Sequence, residues 1–431
     1  MENNKTKIKV VDSIMGQGKT TWAINYMKEN PDKRFLFVTP FLDEVERVMK
    51  EVPNMKSPYI NFKEGKPKFE TLRDLTFKGD NIATTHALFS KLDMEMKENL
   101  TAGDYILILD EVTNVAERFK FETESDEEMF FNEMGDVDKE GYVFWLDDKY
   151  KASTYKKKSA FYDVMLLCLN KNLIKVKENM YMWELPISSF NCFKDIYILT
   201  YMFEGSILAP YFKLNNVQYE YLSVSEGKLT KYNPTTKEQK AELKQLINIV
   251  EHEKLNEIGD NYWSLSASWH KDKTRDLKTS IYSKKLKANT TNFFKNICKG
   301  NAKDNMVTVF DKSYEAIKDK GWSSKVSSYI AFNMKATNKF RHKKNLAYLV
   351  NVFVHGDIST YFKQRHPNIN VNEKIYALNI LIQWIWRSRV RNQDLPYNER
   401  YINLYLPSRR MRDILKEWLD SDDSDINLNI S

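Results

Sequence analysis

Cysteine is scarce in this chain. Cys168, Cys192 and Cys298 are odd in number and far apart. That excludes a disulfide framework or a cysteine zinc site, and a reducing cytoplasmic setting is expected. The six histidines show no ligand-like spacing. No apolar run is long enough to span a bilayer, so no membrane partner is expected. The opening Met1-Glu2-Asn3-Asn4-Lys5 lacks the apolar stretch of a secretory signal. No repeat of solenoid period is visible.

What remains is a globular composition, 42% apolar and 29% charged. At 431 residues the chain has room for about two to three domains. Its net charge is +7 and its pI near 8.8, a basic excess that fits a nucleic-acid partner.

The most informative stretch is Ser13-Ile14-Met15-Gly16-Gln17-Gly18-Lys19-Thr20. It follows the apolar run Ile8 to Val11 and opens into the amphipathic segment Thr21-Trp22-Ala23-Ile24. Strand, glycine loop and helix is the context of a phosphate-binding loop, with Ser13 in place of the usual first glycine. Gly16, Gln17, Gly18, Lys19, Thr20 and Thr21 are the expected ATP-binding residues. The glycines free backbone N–H groups to face phosphate oxygens, and the helix N-terminus adds positive potential. Lys19 is expected on the β- and γ-phosphates and Thr20 on Mg²⁺.

A second anchor is Tyr105-Ile106-Leu107-Ile108-Leu109, a buried-strand run ending in Asp110-Glu111. Asp110 is expected to hold Mg²⁺ and Glu111 to activate the attacking water. The bland reading is an acidic pair opening a loop. A third anchor is Gln383-Trp384-Ile385-Trp386-Arg387-Ser388-Arg389-Val390-Arg391, at the end of a helical stretch. Arginines there could stabilise charge on the γ-phosphate, or simply favour a helix C-terminus. Trp22, Trp384 and Trp386 read as packing before base stacking.

Strands are expected over 34–40, 80–84 and 196–200, then 306–310, 327–332 and 402–406. Their alternation with helices implies parallel sheets. The acidic run Glu122 to Glu128 and the later Lys156-Lys157-Lys158 read as an insertion over about 120–190. A polar stretch at 223–240 is the expected boundary, giving domains 1–230 and 231–419 and an acidic, disordered tail 420–431.

Together the anchors resemble the superfamily 2 helicases, the DEAD/DEAH-box group, in a bacteriophage-encoded form. The resemblance implies an α/β fold of two RecA-like P-loop NTPase domains with parallel sheets flanked by helices, closing on ATP. It makes Asp110-Glu111 motif II, and Gln383 with Arg387, Arg389 or Arg391 motif VI. Trp386 stands where that family has glycine, and the second arginine is shifted. Thr39-Pro40 falls at motif Ia and Thr85 at a second backbone-contacting motif, both on nucleic acid. Both could equally be helix caps. Thr200 takes the coupling place of motif III, with Ser266 as rival. Thr337 and Asn338 take motif V. Arg409, Arg410 and Arg412 could lie on phosphates or solvate a helix. The implied function is an ATP-dependent helicase or translocase on DNA in phage replication or recombination. RNA is the alternative track and a replication protein a further partner. Alternatives are an ATPase that remodels without unwinding, a packaging-type ATPase, and a non-enzymatic nucleotide-fold module.

Overall fold

The computed structural model describes residues 7–62, 64–154, 159–273, 280–323, 328–334 and 339–421. They form two compact units. The first comprises residues 1–13, 17–232 and 355–371, and the second 14–16, 233–354 and 372–431.

The first unit is built on an eight-stranded sheet. Its opening strands are β1 (Lys7–Asp12), β2 (Phe35–Thr39), β3 (Met55–Lys56), β4 (Asn81–Thr85) and β5 (Ile106–Asp110). An insertion follows, containing β6 (Ala116–Phe119), β7 (Gly135–Val137), β8 (Val143–Trp145), β9 (Leu173–Lys177) and β10 (Met180–Glu184). The main sheet resumes with β11 (Asp195–Thr200), β12 (Tyr219–Ser225) and β13 (Lys228–Lys231). Its order is β13-β12-β1-β11-β5-β2-β4-β3. Neighbours are parallel except β13, which returns along β12 through Gly227. The continuous apolar runs of β2, β5 and β11 suit strands covered on both faces, and β1 keeps Ile8, Val10 and Val11 buried with Lys9 paired to Asp195. Helices α1 (Lys19–Glu29) and α2 (Leu42–Glu51) cover one face, placing Trp22, Ile24, Met27, Val45 and Val48 against Val11, Phe37, Ile108 and Leu199. Each large side chain buried this way stabilises the fold by about 1.5–3 kcal/mol. Trp22 is used here, stacked on Tyr26 at 5.4 Å.

The insertion has its own antiparallel sheet, β6-β10-β9, and the hairpin β7-β8. Phe130, Trp145, Met165 and Tyr181 form its core. The acidic run becomes a helix, Glu124–Glu133, started by a reciprocal Thr123–Asp126 capping box. Lys156, Lys157 and Lys158 lie outside the described residues.

The helix Gly356–Arg365 belongs to the first unit although it comes late in the chain. The Tyr361 hydroxyl donates to the buried Glu184 carboxylate, which also accepts from the Tyr142 hydroxyl at 3.0 Å. The division is therefore discontinuous. Besides the short excursion at Ile14–Gly16, the chain passes from the first unit to the second between Tyr232 and Asn233. The polar stretch at 223–240 holds the end of β12, the strand β13 and the start of a capped helix, Lys237–Leu246.

The second unit carries a four-stranded parallel sheet of β14 (Ile247–Ile249), β15 (Asn305–Thr308), β16 (Asn345–Tyr348) and β17 (Ile402–Tyr405), ordered β14-β17-β16-β15. Phe293, Phe294, Val307, Trp322 and Tyr405 lie in its core. The stretch expected as a strand over 327–332 meets β15 at one bridge, Tyr329 to Val307. The strand that pairs along β15 is β16, whose four residues follow the basic run Arg341 to Lys344. Among the described residues no helix is long and apolar enough to cross a membrane.

Candidate nucleotide site

Strand β1 ends at Asp12 and α1 begins at Lys19, so the loop between them lies at the carboxyl end of a parallel sheet. That is where α/β folds bind ligands. Gly16 and Gly18 have φ of +93° and +81°, a backbone that side chains with a Cβ disfavour. The first turn of α1 contains no acidic residue, which leaves its positive end open to an anion. Ser13, in the place of glycine, accepts from the Val224 N–H of β12 at 3.0 Å, and its own N–H donates to Thr200 O at 3.1 Å. The Lys19 ammonium donates to the Ser13 carbonyl, folded back over its own loop.

The sheet order brings the acidic strand to this loop. Strand β11 lies between β1 and β5, pairing Asp12 with Thr200 and Leu199 with Asp110. The Thr20 hydroxyl donates to Asp110 at 3.2 Å across a separation of ninety residues. Glu111 has φ of +65°, and its N–H donates to Leu199 O at 2.9 Å. A non-glycine residue held there costs about 1–3 kcal/mol, and such strain clusters at functional sites. Ser13, Gly18, Lys19, Thr20, Asp110 and Glu111 thus converge in the first unit.

Three further residues belong to this group, and the sequence alone gave none of them a role at the nucleotide. Asp12 is buried and accepts from the N–H groups of Met202 and Phe203 at 3.0 and 2.8 Å, fixing the turn after β11. An acidic residue closing an apolar strand was its signal, the same one that singled out Asp110. A ring nitrogen of His86 lies 3.2 Å from Asp110 O. Glu44, on α2, adds negative potential at Asp110.

Burial pushes the Asp110 carboxyl up to about 7; the Glu111 and Glu44 charges add to the rise, while the Thr20 hydroxyl and Lys19 oppose it. A divalent cation would relieve that repulsion, so the donor set fits one. Among the described residues no cluster of three or more His, Cys, Asp or Glu could cage a metal. Mg²⁺ does not need such a cage, because it keeps waters and takes one or two protein ligands beside substrate phosphates. Thr20 and Asp110 are the residues that would hold it.

Compared with known proteins, the chain is 37% identical over 426 residues to the SPbeta prophage-derived protein YonV of Bacillus subtilis (strain 168), covering 96% of this chain and 99% of that one. The chain belongs to the YonV family. Residues 241–419 match the family's own C-terminal domain, described as Rossmann-like. This overturns the superfamily 2 helicase resemblance, because the second half carries a YonV Rossmann-like domain in the place of a helicase domain. The shared ground is the coarser one, a mixed α/β fold with parallel sheets flanked by helices.

The second-unit residues behind the helicase likeness have local roles in this YonV-type domain. Gln383 donates to Asn379 at 2.7 Å, one turn back in the helix Glu373–Ile385. Trp384 is fully buried and donates to Ile330 O at 3.3 Å, and Trp386 is also core. Arg387 is buried beside Tyr348. Arg389 and Arg391 begin and end a single 3₁₀ turn whose Arg389 N–H donates to Lys343 O. Ser266 caps the helix Ala267–Lys273, its oxygen accepting from Trp269 N–H. Arg410 and Arg412 are buried and bond to backbone carbonyls, so they neither solvate their helix nor face phosphates.

In the first unit, Thr39 is completely buried at the end of β2, which removes its side chain from a nucleic-acid backbone. Pro40 and Thr85 are half-buried at strand ends, and Thr200 is buried at the end of β11. Gln17 and Thr21 are exposed at the mouth of the loop. Thr337 and Asn338 lie outside the described residues, as do residues 422–431 of the acidic tail.

Proposed function

We propose that the first unit binds and hydrolyses ATP with Mg²⁺, and that hydrolysis is coupled to DNA. The observation that carries the first half is the meeting of Thr20 with Asp110 beside a loop whose two glycines have positive φ. Backbone N–H groups and Lys19 would hold the phosphates. Thr20 and Asp110 would hold Mg²⁺, which when bound supplies charge neutralisation at the phosphates. Glu111 is the carboxylate that would orient and deprotonate water. DNA is the proposed track, RNA the alternative, supported by the basic excess of +7. The kinship to a prophage-derived protein supports a role in phage DNA metabolism within the host cytoplasm. The finer fold reading, a RecA-like arrangement, rests on one strand separating the loop strand β1 from the carboxylate strand β5.

The test is ATP hydrolysis by the wild type, Lys19→Ala and Glu111→Gln, each with single-stranded DNA, duplex DNA and RNA. Hydrolysis stimulated by DNA and abolished in both variants is the expected result. An unchanged rate in Lys19→Ala would overturn the site. Hydrolysis indifferent to every nucleic acid would overturn the coupling. Strand displacement on a forked duplex separates unwinding from remodelling.

A further inference from the structure

The second unit displays an aromatic pair that a globular core has no use for. Trp263 is 59% exposed and Tyr262 52% exposed. Large exposed aromatics in a fixed geometry mark interaction sites. These two are held from behind. Trp263 stacks on Phe353 at 4.7 Å and 29°, and Tyr262 meets Trp263 edge-on at 5.0 Å and 84°. The Arg410 guanidinium lies 4.2 Å from the Phe353 ring centre and 5.7 Å from that of Tyr262.

The loop carrying the pair is pinned by buried polar groups. Asn351 is 1% exposed and donates from its amide to Tyr262 O at 2.8 Å and Ser264 O at 3.0 Å. Its backbone N–H donates to Leu265 O at 2.8 Å. Arg410 in turn donates to the Asn351 side-chain oxygen at 3.0 Å and to Val352 O at 2.8 Å. Buried Arg and Asn are expensive unless satisfied. Here they serve to fix the backbone that presents two exposed rings.

Beside Trp263 lies a cavity of about 540 Å³, lined also by Trp269, Tyr282, Lys273 and Lys285. Its acidic members are Asp272 and Glu257, the latter paired with Lys285 at 2.8 Å. Downstream of the pair in sequence, residues 271–344 carry nineteen Lys or Arg against six Asp or Glu.

We propose that Tyr262 and Trp263 form a base-stacking platform for single-stranded nucleic acid, with Lys273 and Lys285 of the adjoining cavity drawing in the phosphates. Rigid exposed rings accept any base face, and clustered lysines supply sequence-independent attraction. This rests on the nucleic-acid half of the functional reading and not on ATP hydrolysis.

The test uses the full chain without nucleotide and fluorescein-labelled dT20, read by anisotropy and by tryptophan quenching. Trp263→Ala should weaken binding about tenfold, with Trp263→Phe restoring most of it. A 20-mer of abasic sites should bind about tenfold more weakly than dT20. Circular dichroism and the thermal midpoint of Trp263→Ala should match the wild type. Lys19→Ala should bind dT20 normally, so that a failed ATPase and a failed platform are distinguished. The platform is overturned if Trp263→Ala binds dT20 like the wild type, or if abasic DNA binds as tightly. It is also overturned if poly-glutamate of equal charge competes as well as unlabelled dT20, which would indicate an acidic protein ligand. Absence of dT20 binding at low salt overturns it too.

Discussion

The Thr20 hydroxyl donates to Asp110 at 3.2 Å, joining the first turn of α1 to the end of β5. The two residues are ninety positions apart, and the intervening strand β11 sets the spacing that lets them meet. A hydroxyl and a carboxylate so placed can share one small hard cation. Replacing Thr20 by Val keeps the shape and removes the oxygen. The Mg²⁺ concentration for half-maximal hydrolysis should rise at least about tenfold, while Thr20→Ser stays near the wild type. Stability should move by less than about 1 kcal/mol, since one part-buried hydrogen bond is lost. A Mg²⁺ titration of the ATPase rate checks this; an unshifted curve for the Val variant refutes it.

Glu111 gives a second handle, because its backbone and its side chain can be separated. Its φ of +65° suits glycine. Glu111→Gly and Glu111→Ala should both lose hydrolysis, since both lose the carboxylate. The glycine variant should nonetheless be about 1 kcal/mol more stable than the alanine variant. Urea unfolding of the pair reads the difference. Equal stability would mean that the left-handed conformation is not kept in solution.

Asp110 should make the site pH-sensitive. Its carboxyl is raised from 3.8 to about 7, so between about pH 4 and 7 the folded chain keeps a proton that the unfolded chain has released. Stability contributed by this group therefore falls as pH rises through that window. Metal-nucleotide binding runs the other way, because the cation needs the carboxylate. Affinity for Mg²⁺-nucleotide should climb as pH rises through about 7, with a proton released on binding. Calorimetry in two buffers of different ionisation enthalpy measures that proton. Asp110→Asn should abolish the release; release persisting in that variant would assign it to another group.

The sequence is legible here where physics is local. Apolar runs of four or five residues between polar boundaries become β2, β5 and β11, the mostly apolar Ile8–Val11 becomes β1, and the glycine loop follows its strand. What misleads is the meaning of strand ends. Parallel strands collect Thr, Asp and Pro at their carboxyl ends in any α/β sheet. Thr39-Pro40, Thr84-Thr85 and Leu199-Thr200 therefore imitate helicase motifs without that kinship. Thr39 shows the difference: its hydroxyl is buried and without a hydrogen-bond partner among the described residues, a packing position rather than a surface one. Strands β14 and β16, of three and four residues, are too short to carry a period. The return of the helix Gly356–Arg365 to the first unit is a long-range event that no local pattern announces.

That return depends on Glu184, which leads to the last prediction. Glu184 is 1% exposed at the end of β10. Its carboxylate accepts from Tyr142 at 3.0 Å and from Tyr361, and Arg365 lies 3.6 Å away. Tyr361 and Arg365 come from the late helix, so the network fastens that helix to the insertion. Removing one partner strands the carboxylate, a buried charge left uncompensated. Arg365→Met should destabilise the first unit by about 3 kcal/mol. Tyr361→Phe should cost about 1–3 kcal/mol, since the ring still packs. Replacing Glu184 by Gln together with Arg365 by Met should recover much of the loss, because the charge disappears with its partner. Denaturant unfolding of the three variants checks the order. If Arg365→Met unfolds within about 0.5 kcal/mol of the wild type, packing of Ile358, Tyr361 and Phe362 rather than the ion pair holds the helix.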